Sequence, residues 1–189
     1  YGSLFANGAA GDSIIFEPYD MTSPYDGMWN GIKLQYSSSY YPSKIELSYF
    51  RTSYGGNSMY WPYGAVAVYN KRSYSDGIDS VTVSHGEIHN SSYLGAYLYN
   101  NYGDEDYGQV YVSVGNLWVH DNYYHGFEIT ENRWTDIALD SLNVHNNNSY
   151  GMYFGYNYDD TKMTVDSARI ADNTSYGLTF QRLENGATI

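Results

Sequence analysis

The sequence predicts an all-β protein, a single-stranded parallel β-helix of about six to seven coils with three short strands per coil. Three observations carry this expectation. First, the chain aligns with itself without gaps over four segments, 81–98, 112–129, 137–154 and 163–180, whose starts lie 31, 25 and 26 residues apart. Each copy has apolar residues in first, third, eighth, sixteenth and eighteenth place and a glycine in fifteenth: Gly95, Gly126, Gly151 and Gly177. Second, the apolar residues alternate with period two, the signature of half-buried strands. Third, no stretch carries a helical period long enough to matter.

The third copy shows how one repeat is read. Ile137 and Leu139 face one way around Ala138, Leu142 and Val144 do so around Asn143, and Met152 and Phe154 flank Tyr153. Turn residues separate the three strands. Stacked copies would bury Val83, Val114, Leu139 and Val165 as one column and Ile88, Val119, Val144 and Ile170 as a second. The whole chain, 1–189, reads as one domain. Residues 1–80 form irregular coils with insertions, 81–180 the regular repeats, and 181–189 the start of a further coil. In the first part Leu4 and Ala6, Ile14 and Phe16, and Ile32 and Leu34 mark strands, with Pro18, Pro24 and Asp26-Gly27 supplying turns. The next coil runs from Ile45 to Val68 around a Gly- and aromatic-rich bulge at 53–63. No capping helix is legible at either end, so two expectations stand side by side: a piece of a longer chain, or coils stacking head to tail between subunits.

The pattern I-x-N-N-x-x-x-G-I-x-(I/F), carried by 144–154 and 170–180, resembles the right-handed β-helix superfamily. That superfamily includes pectate lyases, polygalacturonases, alginate epimerases, phage tailspikes and bacterial surface adhesins. The opening GSLFANGAAGDSIIF followed by WNGIKL is similar to the first coils of bacterial extracellular β-helix proteins. The resemblance implies a right-handed helix and an extracellular or cell-surface setting. Its catalytic motifs do not carry over. His85-Gly86 and His125-Gly126 have no Asp-Asp pair beside them, and basic residues do not cluster on adjacent coils except near Lys71 and Arg72.

Composition narrows the function classes. There is no cysteine, hence no disulfide or thiolate site. Nine basic against 21 acidic residues give a net charge of −12, which argues against nucleic acid and anionic membranes. No segment reads as a signal peptide or membrane span, as in a mature secreted chain. Tyrosine is over-used, at 25 of 189 residues.

Candidate sites emerge as columns. Position ten reads Asn90, Asp121, Asn146 and Asp172, and position eleven Ser91, Asn122, Asn147 and Asn173, a structural ladder of turn-forming and stacking side chains. Position nine places His89, His120 and His145 in one outward column, a weak candidate for a transition metal because no carboxylate column completes the ligand set. Position four supplies Asp140 and Asp166, a weak catalytic candidate at the carboxylate spacing of retaining glycosidases. The loops 69–76, 99–107, 130–134 and 155–160 follow position eighteen of successive coils and stack along one edge. Their Tyr99, Tyr102, Tyr107, Trp134, Tyr156 and Tyr158 form a candidate binding surface, and Asp104, Glu105, Asp106, Asp159 and Asp160 offer hard oxygens suited to calcium. The expectation is a non-catalytic extracellular structural or adhesive module, self-assembling or binding other surface proteins or glycans, with calcium the one cofactor its loops suit. The alternative is a carbohydrate-active β-helix enzyme or a fragment of one.

Overall fold

The computed structural model describes residues 4–23, 25, 28–36, 44–57, 63–70, 79–99, 101–103 and 109–189. The chain is all-β. Its strands are β1 (Leu4–Asn7), β2 (Ile14–Phe16), β3 (Ile32–Tyr36), β4 (Lys44–Ser53), β5 (Gly64–Asn70), β6 (Asp79–His89), β7 (Leu94–Tyr99), β8 (Val110–His120), β9 (Phe127–Thr130), β10 (Asn132–Arg133), β11 (Thr135–His145), β12 (Met152–Tyr158), β13 (Lys162–Val165), β14 (Ala168–Ala171) and β15 (Leu178–Leu183). Among the described residues there is no helix. The strands form two sheets, and every pairing between them is parallel. One sheet runs β1-β4-β6-β8-β11-β13, with β2 beside β4 and β14 beside β11. The other runs β10-β12-β9-β7-β5-β3, with β15 also beside β12.

The register is the one the self-alignment dictates. Val81 pairs Val112, Val112 pairs Ile137, and Ile137 pairs Met163. On the second sheet Ala96 pairs Phe127, Phe127 pairs Met152, and Met152 pairs Leu178. Like residues therefore stack on like, and one apolar core takes its members from both sheets. Val83, Val114 and Leu139 are buried, as are Ile88, Val119 and Val144. Their last members differ: Val165 is 36% exposed and Ile170 is half-buried, because among the described residues β13 and β14 have a strand on one side only, with Thr188 the lone bridge on the outer edge of β13.

The expected three strands per repeat become two. The first and second fuse into a single strand of 11 residues in β6, β8 and β11. A residue in the left-handed region marks the expected gap: Tyr49, His85, Asn116 and Ser141 have φ of 49°, 52°, 52° and 52°. Pairing skips this residue and resumes on both sides, so the side-chain alternation shifts by one. Positions three and six thus both face the core. In the last copy the fusion fails, and Asp166 and Ser167 separate β13 from β14.

Position ten behaves as its residue types dictate. Asn90, Asp121, Asn146 and Asp172 have φ of 54°, 54°, 55° and 54°. Asn and Asp tolerate this conformation at a strand end better than other side chains. The adjoining position eleven turns inward. Asn122 Nδ2 donates to Asn147 Oδ1 at 2.8 Å, and Asn147 Nδ2 to Asn173 Oδ1 at 2.9 Å. A second amide ladder, absent from the sequence reading, follows the other sheet. Asn101 Nδ2 donates to Asn132 Oδ1 and Asn132 Nδ2 to Asn157 Oδ1, both at 2.8 Å.

Candidate functional site

Strand register and side-chain alternation put one residue in every two on an outer face, and the outer faces carry the chemistry. On the first sheet, position seven of the repeat gives the row Ile15, Arg51, Glu87, Trp118, Asn143 and Arg169. Arg51 Nε donates to Glu87 Oε2 at 3.1 Å, and His120 Nε2 lies 3.1 Å from Glu87 Oε1. His120 Nδ1 in turn faces Asp121 Oδ2 at 2.7 Å. Arg51 Nε also approaches His89 Nε2 at 3.3 Å. This network borders an open cleft of about 520 Å³. Asp12 and Ser13 form one wall, His85 and Asn116 stand at the strand kinks, and Trp118 presents a flat ring that is 58% exposed.

The histidine column is real as a stack. His89, His120 and His145 rings lie 5.3 and 5.0 Å apart with interplanar angles of 4° and 2°. Parallel rings at that spacing run their nitrogen lone pairs side by side instead of aiming them at one point. Both nitrogens of the middle ring are also taken by carboxylates. Burial holds the His89 and His145 imidazoles below their ordinary value. Among the described residues no group of three or more His, Cys, Asp and Glu side chains is arranged to hold a metal ion.

Asp140 and Asp166 are both exposed at the kink of neighbouring strands. Asp140 Oδ1 accepts from Ser141 Oγ at 3.0 Å, and the backbone N–H of Asp166 donates to the Leu139 carbonyl at 2.9 Å. Both have the environment of turn residues.

Two of the edge-loop aromatic residues, Tyr102 and Tyr158, meet around a cation. The Arg133 guanidinium lies 5.3 Å from the Tyr102 ring centroid and 4.9 Å from that of Tyr158. Tyr158 stacks near Tyr156 at 6.5 Å, and Gln181 Nε2 donates to the Tyr156 hydroxyl at 2.9 Å. Tyr99 stacks on Tyr97 at 5.1 Å and on Tyr69 at 6.3 Å. Trp134 is half-buried at a left-handed turn, φ 48°. Tyr99, Tyr102, Tyr156 and Tyr158 are thus engaged in contacts within the chain. Of the calcium candidates, Asp159 Oδ1 accepts from Asn185 Nδ2 at 3.0 Å and its other oxygen lies 3.8 Å from Arg133, whereas Asp160 takes a left-handed turn. Tyr107, Asp104, Glu105 and Asp106 lie outside the described residues.

The second sheet's outer face carries what the sequence reading missed. Position seventeen gives the row Lys33, Ala67, Tyr97, Glu128, Tyr153 and Thr179. Around Glu128 stand Tyr63, Tyr93, Tyr124 and Tyr150, with the His125 ring stacked 3.9 Å from Tyr124 and 4.6 Å from Tyr150. Burial pushes the Glu128 carboxyl up to about 7 and the His125 imidazole down to about 4. Although His125 Nε2 lies 4.0 Å from Glu128 Oε2, that distance is long for a hydrogen bond and burial opposes both charges, so the pair is neutral between these values. The signal was available: the His125-Gly126 pair was in view, and listing position seventeen as a column would have set Glu128 between two tyrosines.

No protein-family model, curated protein or solved structure matches the chain.

Proposed function

We propose that the chain is a right-handed parallel β-helix acting as a non-catalytic, extracellular or cell-surface adhesive module, and that the cleft beside Trp118 binds glycan. The β-helix reading is supported by strand pairing that follows the sequence repeat, alternately in the two sheets, from Leu4 to Leu183. The single observation that carries the glycan reading is the combination of an exposed indole plane and a fixed Arg51–Glu87–His120 network in one open cleft. A sugar stacks its C–H face on such a ring and exchanges hydrogen bonds with charged groups at its rim. Binding is favoured over catalysis because both Glu87 oxygens are engaged, one by Arg51 and one by His120. A general acid or nucleophile needs an oxygen free to meet substrate.

The test is calorimetric titration with neutral and acidic oligosaccharides, together with mass analysis of the sugar afterwards. Saturable binding that Trp118→Ala weakens at least tenfold, with the sugar intact, is the expected result. Shortened or unsaturated sugar products would replace this reading by the carbohydrate-active enzyme. Binding unaffected by Trp118→Ala would remove the cleft from the argument.

A further inference from the structure

We propose that the tyrosine-ringed Glu128 on the outer face of the second sheet is a binding site for an alkylammonium group, the chemistry of a lysine side chain. The site is independent of the cleft, which lies on the other sheet.

Glu128 occupies the centre of β9, with Phe127 and Ile129 turned into the core on either side of it. Its cross-strand neighbours are Tyr97 in β7 and Tyr153 in β12, at the ordinary strand spacing of about 4.8 Å. Tyr97 leans on Tyr63 and Tyr99, with ring centroids 6.3 and 5.1 Å away. On the other flank Tyr153 packs against Tyr150 at 5.6 Å and against His125 at 5.3 Å. Tyr93 and Tyr124 stack at 4.7 Å and close the end toward His125. One carboxyl, 17% exposed, thus looks out through a wall of aromatic faces.

Among the described residues, the groups facing Glu128 leave it without a counter-ion. From its own loop comes His125, which burial keeps neutral above about 4. From β7 and β12 come only phenols. Burial is what raises its carboxyl above the ordinary value. Lys33, in the same outward row, is three strands away and lies over the Tyr69 ring at 5.5 Å. Arg133 is held between Tyr102 and Tyr158.

A cation resolves what the site lacks. A negative carboxylate is disfavoured here both by lost hydration and by the negative faces of the rings. An ammonium placed at the carboxyl beside the half-buried Tyr153 ring is attracted by that face and supplies the charge that lets Glu128 ionise. The net charge of −12 draws cations toward the surface. A butyl-length stem would lie on the half-buried Tyr153 ring, burying apolar area that an inorganic cation does not have. Binding and deprotonation of Glu128 are therefore coupled.

The experiment follows the ring signals of Tyr97, Tyr153 and His125 by NMR during titration with n-butylammonium chloride. Sodium chloride matches the ionic strength and n-butanol serves as the neutral analogue. Saturable shifts with the ammonium and none with the alcohol are expected. Glu128→Gln, which keeps shape and removes charge, should weaken binding at least tenfold. Tyr153→Leu should also weaken it, whereas Tyr153→Phe should not. At free ammonium about ten times Kd, the Glu128 titration midpoint should fall from about 7 to about 6. Equal responses to butanol, binding by Glu128→Gln within twofold of the parent, or no saturable shift would overturn the proposal. Should Glu128→Gln lose its fold, the midpoint shift and the two Tyr153 variants decide.

Discussion

The side-chain amide of Asn147 is fully buried and saturated with partners. Its Nδ2 donates to Asn173 Oδ1 and to the carbonyls of Val119 and His145, while its Oδ1 accepts from the backbone and side chain of Asn122. Asn147→Ala would remove the acceptor of the Asn122 backbone and side-chain N–H groups and one donor to each of the two carbonyls, in a buried position. A loss of about 3 kcal/mol is expected, read from urea midpoints. Val144, fully buried in the column behind it, should tolerate Asp no better, since an unpaired buried carboxylate costs several kcal/mol. The ladder at position eleven was legible because four copies place a small polar residue at one spacing. The second ladder was not, because its fourth place is Leu183 and insertions obscure the loops that hold it.

Glu128 and His125 make a further residue-scale prediction. Glu128 rises from an ordinary 4.5 to about 7, so the folded state binds the extra proton between these values and stability falls as pH climbs through them. The span corresponds to about 3 kcal/mol. His125 falls from an ordinary 6.5 to about 4, so here stability is lost as pH drops through that window. The two slopes have opposite sign and overlap between 4.5 and 6.5, where they largely cancel. Removing one partner exposes the other. Glu128→Gln should gain a stability curve that rises with pH relative to the parent, and His125→Asn one that falls. Chemical denaturation across pH 4 to 7 checks both, and two variants with parallel curves would contradict the assignment.

At the scale of the element, space rather than backbone conformation fixes the glycine column. A Cβ on Gly126 would stand 2.5 Å from Val144 Cγ1 and 2.6 Å from Asn147 Nδ2, where the chain turns close over the amide ladder. On Gly177 the nearest atom would be Ile170 Cγ2 at 3.5 Å, an ordinary contact. Gly126→Ala should therefore lose about 1–3 kcal/mol by overpacking, and Gly177→Ala should stay within about 0.5 kcal/mol. Thermal unfolding of the two variants beside the parent separates them, and equal losses would mean that the column serves something other than close approach. The glycines were legible as a repeat. The fused strands were not, because Tyr49, His85, Asn116 and Ser141 share a conformation and no side-chain type. The cleft was illegible for a related reason. It joins Asp12 and Ser13 to residues of β4, β6 and β8, a neighbourhood that exists only once the register is known.

At the scale of the whole molecule, nearly every sheet contact joins residues 25 or more apart, so the core is a stack whose layers depend on their neighbours. Among the described residues the last layer has a strand on one side only, with Thr188 alone bridging the outer edge of β13 at Lys162. Its inward-facing Leu178 and Phe180 are 46% and 48% exposed, beside Val165 at 36%. Among the described residues β1, β2 and β3 likewise pair on one edge. Parallel strands with unpaired edges and apolar side chains template further parallel strands, and joining the last layer of one copy to the first of another gives a contact that does not close. The 189-residue chain should accordingly associate with rising concentration. Salt should strengthen the association by screening repulsion from the net charge of −12. Leu178→Lys combined with Phe180→Lys places two charges on the exposed layer and should suppress association, while the lost stacking of Phe180 on Phe154 lowers the unfolding midpoint. Sedimentation velocity at low and high salt, with negative-stain microscopy, measures this. A parent chain that stays monomeric at high concentration and salt would remove head-to-tail stacking from the account.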